Sequence, residues 1–224
     1  GLIGGEAIAL DRRRQENRSI CGPVLARSVA IAMGTLEVNA SMGLIVAAPT
    51  AGSCGVLPGV LLAQAAAFGF GLEELLEALL AAGAVGYLIA RNATVAGAEG
   101  GCQAEVGTAS AMAAAAVVQL HGGTPQMALW AAGTALVNLM GLVCDPIGGL
   151  VESPCQGRNG IGAAGALVAA ETALAGIPSP APLDEVIEAM YAVGRSLPAE
   201  LRETAMGGIA AAPSACQRCG GCGA

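Results

Sequence analysis

The stretch Cys102-Gln-Ala-Glu-Val-Gly-Thr-Ala-Ser-Ala-Met-Ala-Ala-Ala-Ala-Val-Val-Gln-Leu120 decides the fold. Alanine is the best helix former, and small side chains let helix backbones approach each other closely. The stretch therefore predicts a slim, tightly packed helix. Its cysteine sits at the N-terminus, where the positive end of the helix dipole favours a thiolate. The rest of the chain has the same character: 54% hydrophobic residues, 2% aromatic residues and 34 glycines. Strand-type alternation of β-branched and aromatic residues is almost absent. The expected fold is all-α, a compact Ala/Gly-rich helical domain.

Working outward, Thr124 predicts a cap and Pro125 the first turn of a helix that ends near Val143. A hairpin through His121 to Thr124 would bring Cys102 and Cys144 to the same end of the helix pair. Cys144 to Gly160 reads as a Gly/Pro-rich loop that carries Cys155. Further helices are expected over Pro23–Ser41, Val56–Phe68, Leu72–Arg91, Ile161–Ala175, Leu183–Leu197 and Ala199–Met206. Gly4 to Arg18 reads as an exposed helix end or linker, and Met42 to Gly55 as a loop of small residues. No linker divides the chain. One domain is expected over 1–213, lacking its natural N-terminus because no initiator Met is present. A flexible Cys-rich tail is expected over 214–224, and mobility from Gly207 onward.

The net charge of −7 leaves no basic stripe to neutralise phosphates, which argues against nucleic acid. All ten cations are arginine. Without lysine the chain cannot form a Schiff base with pyridoxal phosphate or a carbonyl substrate. Eight cysteines without a signal-peptide pattern point to a reducing, cytoplasmic setting and to metal or redox use. Mean hydropathy is +0.65, and Val106 to Cys144 carries no formal charge, so an integral membrane protein is the rival expectation. His121-Gly-Gly-Thr-Pro125 interrupts that stretch, and neither arginine flanks nor an aromatic belt marks an interface, which favours buried helices.

Three cysteines sit at breaks in apolar runs: Glu99-Gly-Gly-Cys102-Gln-Ala-Glu105, Val143-Cys144-Asp145-Pro-Ile-Gly-Gly, and Ser153-Pro-Cys155-Gln-Gly-Arg158-Asn. Glycine and proline let the backbone stop, turn and present sulfur. Three soft ligands suit zinc or an iron–sulfur cluster with one position left for substrate. The close cysteine pairs of structural zinc sites are missing among them, and a zinc-stabilised interaction module is the weaker expectation.

These three segments, with Ala48-Pro-Thr-Ala-Gly-Ser-Cys-Gly55 and Met206-Gly-Gly-Ile-Ala-Ala-Ala-Pro213, resemble the α subunit of iron–sulfur-dependent L-serine dehydratase (L-serine ammonia-lyase). The resemblance runs from Gly4 to about Pro213. It implies a [4Fe-4S] cluster held by Cys102, Cys144 and Cys155, with one iron open to substrate. It further implies conversion of L-serine to pyruvate and ammonia without pyridoxal phosphate, an oligomer, and a β domain carried on the same chain or on a separate subunit. None is visible in this sequence, so a partner chain is implied unless the missing N-terminus supplies it. Related cluster lyases acting on cysteine or another hydroxy amino acid share this implication. The chain departs from the family pattern at Ser153, Gln156, Gly157 and Gly160.

Within that frame Glu99, Glu105 and Asp145 are candidates for the general base, and Thr50, Ser53 and Arg158 for contacts to the substrate carboxylate. Cys21 and Cys54 are expected to be packed thiols. His121, the only histidine, is expected to cap helix carbonyls. Cys216, Cys219 and Cys222 lie in the tail, from which a thiolate could reach the open iron when substrate is absent.

Overall fold

The computed structural model describes residues 1–218, and among them there is no strand. The chain winds through α1 (Glu6–Gln15), α2 (Gly22–Ala40), α3 (Val56–Phe68), α4 (Leu72–Asn92), the short α5 (Gly97–Gly100), α6 (Thr108–Leu120) and α7 (Pro125–Leu139). It continues through α8 (Cys155–Leu174), α9 (Leu183–Ser196) and α10 (Pro213–Arg218). The all-α expectation holds.

Helix α6 is the axis of the core. Twelve of its residues, from Thr108 to Leu120, are buried, and α3, α4, α7 and α8 pack around it. A helix enclosed on every side needs no polar stripe, which explains its uninterrupted alanines. Helix α9 covers one flank and shows the opposite design. Leu183, Val186, Ile187 and Met190 form one buried stripe at helical spacing, with Asp184 and Glu185 at its start and Arg195 in its last turn.

The predicted punctuation works where its chemistry is local. Thr124 accepts a hydrogen bond from the Met127 amide at 3.2 Å, and Pro125 opens α7. The turn through His121 divides the uncharged stretch into helices of 13 and 15 residues. Both are shorter than the roughly 17–25 residues a membrane span needs. One described segment, Ala51–Phe68, is long and apolar enough to cross a membrane, and 56% of it is buried inside the fold.

Several expectations are corrected. Gly4–Arg18 contains a full helix, α1, packed on α2. Only a 3₁₀ turn, Ala199–Leu201, forms where a helix to Met206 was expected. Helix α10 occupies Pro213–Arg218, with Ala215 buried, where a flexible tail was expected. Cys219 and Cys222, and the side chain of Cys216, fall outside the described residues. Cys21 is exposed rather than packed, whereas Cys54 is buried. His121 caps no carbonyl with its ring. Its Nε2 lies 2.8 Å from Gln64 Oε1, and the ring packs edge-on against Phe68 and Phe70.

Candidate metal centre

Cys102, Cys144 and Cys155 are free, buried thiols at the ends of three elements. Cys102 precedes a π-helical turn, Gln103–Gly107, that runs directly into α6. Cys144 follows α7 after a short loop, and Cys155 opens the 20-residue α8. The last point corrects the sequence expectation, which left Cys155 on a loop reaching Gly160.

Neighbouring segments fix these ends. Gln103 Nε2 donates to the carbonyls of Gly100 at 2.9 Å and Met190 at 3.0 Å, and its Oε1 accepts from the Gly141 amide at 2.8 Å. Asn159, fully buried, does the same for Cys155. Its Nδ2 donates to the Cys155 and Gly52 carbonyls at 2.9 and 2.8 Å, and its Oδ1 accepts from the Gly55 amide at 3.0 Å. Asn159 thereby ties the first turn of α8 to the loop that carries Thr50. Sequence reasoning passed over it, although an asparagine inside an apolar helix always needs partners.

The thiols meet one another and a carboxylate. The ligand atoms of Cys102, Glu105 and Cys144 all lie within 4.8 Å of one another. Cys155 lies outside that group of three but close enough to Cys102 for the two thiols to act on each other. The Cys102 thiol is held far below its ordinary value, first by hydrogen bonds from Cys144 and Cys155 and then by the Arg158 guanidinium. Cys144 and Cys155 are correspondingly raised, first by donating to Cys102 and then by burial. Cys102 is thus the one of the three favoured as a thiolate. Cys54, near Cys155 in a small apolar cluster with Leu36, is instead pushed up to about 11 by burial.

The π-helical turn presents Glu105 to this group. Its Oε2 lies 4.0 Å from Cys144 Sγ, and its Oε1 accepts a 2.8 Å hydrogen bond from the Thr50 hydroxyl. Burial raises the Glu105 carboxyl to about 7, against the lowering effect of Thr50, and the charges of Cys102 and Glu203 push the same way as burial. Such a carboxyl exchanges a proton readily near neutral pH. Gly97 leaves the space this contact needs, since a β-carbon there would lie 2.5 Å from Glu105 Oε2 and 3.1 Å from Cys144 Sγ.

Of the other sequence candidates, Glu99 is exposed on α5 and lies outside the Cys102–Glu105–Cys144 group. Ser53 is fully buried, and its hydroxyl lies 3.1 Å from that of Thr50, within the turn that leads into α3. Arg158 reaches the site but is already engaged: Nη2 donates to Asp145 at 2.7 Å and Nη1 to Cys102 Sγ at 3.5 Å. Burial works against its charge and is outweighed by Cys102 and Asp145. Asp145 is buried and accepts from both Arg158 and the Ile209 amide.

Fold and site together define an all-helical protein with convergent thiols, a carboxyl and a guanidinium beside them. The chain belongs to the serine dehydratase alpha chain family, whose pattern matches residues 1–210. It is 51% identical over 214 residues to the probable L-serine dehydratase alpha chain of Bacillus subtilis, covering 96% of this chain and 71% of that one. The L-serine dehydratase alpha chain of Peptoniphilus asaccharolyticus is 49% identical over 209 residues, covering 93% and 72%. The L-serine dehydratase of Helicobacter pylori is 45% identical over 177 residues, 78% of this chain but only 39% of that longer one.

Proposed function

We propose that this chain is the alpha chain of an L-serine ammonia-lyase, converting L-serine to pyruvate and ammonia in the cytoplasm at a [4Fe-4S] cluster held by Cys102, Cys144 and Cys155. The observation that carries the proposal is the convergence of three buried cysteines beside Glu105, in a chain of the serine dehydratase family. The donor set fits such a group. Thiolates are the usual ligands of iron–sulfur clusters, and the depressed Cys102 thiol supplies the first of them without a strong base. Three cysteines leave one iron without a protein thiolate, and when bound the cluster would supply Lewis acidity for the departing hydroxyl.

The remaining work falls to the chain itself. Arg158, paired with Asp145, offsets part of the negative charge at Cys102. Glu105 is our candidate to accept or hold a substrate proton at Oε2, the oxygen facing Cys144, while Thr50 orients the carboxyl through Oε1. Burial around α6 and α8 keeps bulk water from the thiols. A separate beta chain would complete the enzyme. Support for it comes from longer relatives such as that of Helicobacter pylori, in which the matched segment is 39% of the chain.

The test is anaerobic reconstitution with iron and sulfide, followed by assay of pyruvate from L-serine, with L-cysteine and L-threonine in parallel and the beta chain added. A brown, air-sensitive protein that forms pyruvate from L-serine is expected. A colourless chain that retains zinc in air, or one that forms no pyruvate with its beta chain present, overturns the proposal.

A further inference from the structure

We infer that Asp145 is a positioning residue that joins Arg158 and the 199–211 segment to the thiol cluster. This departs from the proton-acceptor role that its place beside Cys144 suggests in sequence. For its effect on turnover the inference rests on the function proposed above; for its structural content it does not.

The carboxylate of Asp145 is 3% exposed, and each oxygen is committed. Oδ1 accepts from Arg158 Nη2 at 2.7 Å and Oδ2 from the Ile209 amide at 2.6 Å. Charge-assisted hydrogen bonds of this kind are among the stronger ones a protein makes. A proton acceptor facing substrate needs an oxygen that can be released: Glu105 Oε2 has only the long 4.0 Å contact to Cys144, whereas both Asp145 oxygens are held by short bonds. Through Arg158 the connection continues to Cys102 Sγ at 3.5 Å.

The other end of the same segment is tied to the neighbouring cysteine. The Cys144 amide donates to the Leu201 carbonyl at 2.8 Å, and the Cys144 carbonyl accepts from the Glu203 amide at 2.7 Å. Residues 201–203 are therefore registered by Cys144 and residue 209 by Asp145. Between these anchors the backbone is one that chains rarely choose: Glu203, Ala205 and Gly208 all have positive φ, at 66°, 57° and 60°. At Gly208 even a β-carbon would run into the Asp145 side chain. A segment with so little regular structure keeps its course because the cysteine loop holds it. In return its residues 201–203 run alongside Cys144, paired with it backbone to backbone.

Hydrogen–deuterium exchange and thiol alkylation on the full chain, read by mass spectrometry, test the inference in Asp145→Asn and Gly208→Ala. Asp145→Asn replaces one acceptor oxygen by a donor, so one of its two bonds is lost. The second variant keeps the carboxylate but pushes the segment off it. Gly208→Ala is expected to raise exchange at the Ile209 amide about tenfold, the scale of one lost charged hydrogen bond, and Asp145→Asn either to do the same or to release Arg158, while α4 and α6 remain as in the parent. Cys102 and Cys144 should alkylate faster, and iron and sulfide content should fall. In the reconstituted enzyme kcat should drop with KM for L-serine unchanged. Parent-like exchange and labelling in Asp145→Asn with kcat abolished would make Asp145 an acid–base group and overturn the inference. Uniformly faster exchange in every helix, or parent-like exchange at Ile209 in Gly208→Ala, would also overturn it. If the parent forms no pyruvate, the proposed function fails, and the exchange and alkylation results still decide this point.

Discussion

The Thr50 hydroxyl donates to Glu105 Oε1 at 2.8 Å across 55 positions of sequence, joining the small-residue loop before α3 to the turn that follows Cys102. This hydrogen bond lowers the Glu105 carboxyl against the burial that raises it. Thr50→Val should therefore raise the carboxyl further. In the reconstituted enzyme, Glu105→Gln should abolish pyruvate formation with iron content retained, whereas Thr50→Val should reduce it severalfold. Retained turnover in Glu105→Gln would remove Glu105 from the proton-transfer role.

The same carboxyl makes the metal-free chain pH-sensitive. A carboxyl raised to about 7 in the folded state, from 4.5, binds more protons folded than unfolded between those values. Its contribution is therefore fully favourable below about pH 4.5 and is lost as pH rises through 7, by roughly 3 kcal/mol as an upper bound. Urea denaturation of the metal-free chain at pH 5 and pH 7 should show this loss, and Glu105→Gln should flatten it. An unchanged slope in the variant would assign the pH dependence to other groups.

Replacing Cys102, Cys144 or Cys155 singly by Ala should abolish cluster loading, and Cys54→Ala should not. Cys54 is as buried as the other three, but burial outweighs a lowering backbone hydrogen bond and raises its thiol to about 11, whereas Cys102 is stabilised as a thiolate by its neighbours. Iron and sulfide analysis of the four variants checks this. Full loading in any of the first three would remove that residue from the ligand set.

Gly97→Ala places a methyl group 2.5 Å from Glu105 Oε2, which must then move. Overpacking of this kind costs about 1–3 kcal/mol, and here it falls on the site. A lower melting temperature with sharply reduced iron uptake is expected. Parent-like iron uptake would mean that Glu105 can move aside without consequence.

Asn159→Ala leaves the Gly55 amide and the Gly52 carbonyl without their side-chain partner in a buried setting, while the Cys155 carbonyl keeps its helical backbone bond. Destabilisation of about 3 kcal/mol or more is expected from denaturant titration, since each orphaned group costs about 1–3 kcal/mol. A loss below 1 kcal/mol would show that the loop and α8 are held by packing alone.

Much of the helical framework was legible because its signals are local. Thr124-Pro125 starts α7, Gly69 in the left-handed conformation ends α3, and the acidic first turn of α4 was readable as such. The start of α8 was hidden by Pro154, Gly157 and Gly160, which resemble loop punctuation. Gly160 instead lies against Val29 and Met33, and Gly162 against Val56 and Val106, where larger side chains would collide. Glycine in these places permits close helix packing, a fact that only the neighbours reveal. The three cysteines stood out by their settings. The choice among Glu99, Glu105 and Asp145 did not, because it depends on which way one π-helical turn faces and on partners more than 50 positions away. Asn159 and Gln103 were missed for the same reason.

The alanines of α6 have a further consequence. With methyl groups as the only spacers at Ala109, Ala111 and Ala113 to Ala116, the separations of α3, α4, α7 and α8 are set to the thickness of a nearly bare helix. The π-helical turn and the leads into Cys144 and Cys155 hang from the ends of these same helices. A larger residue in the middle of α6 would shift the frame from which all three sulfurs are suspended, without touching any of them. The helix works as a gauge block, and substitutions there should be tolerated only in matched pairs, one side chain growing as the facing one shrinks.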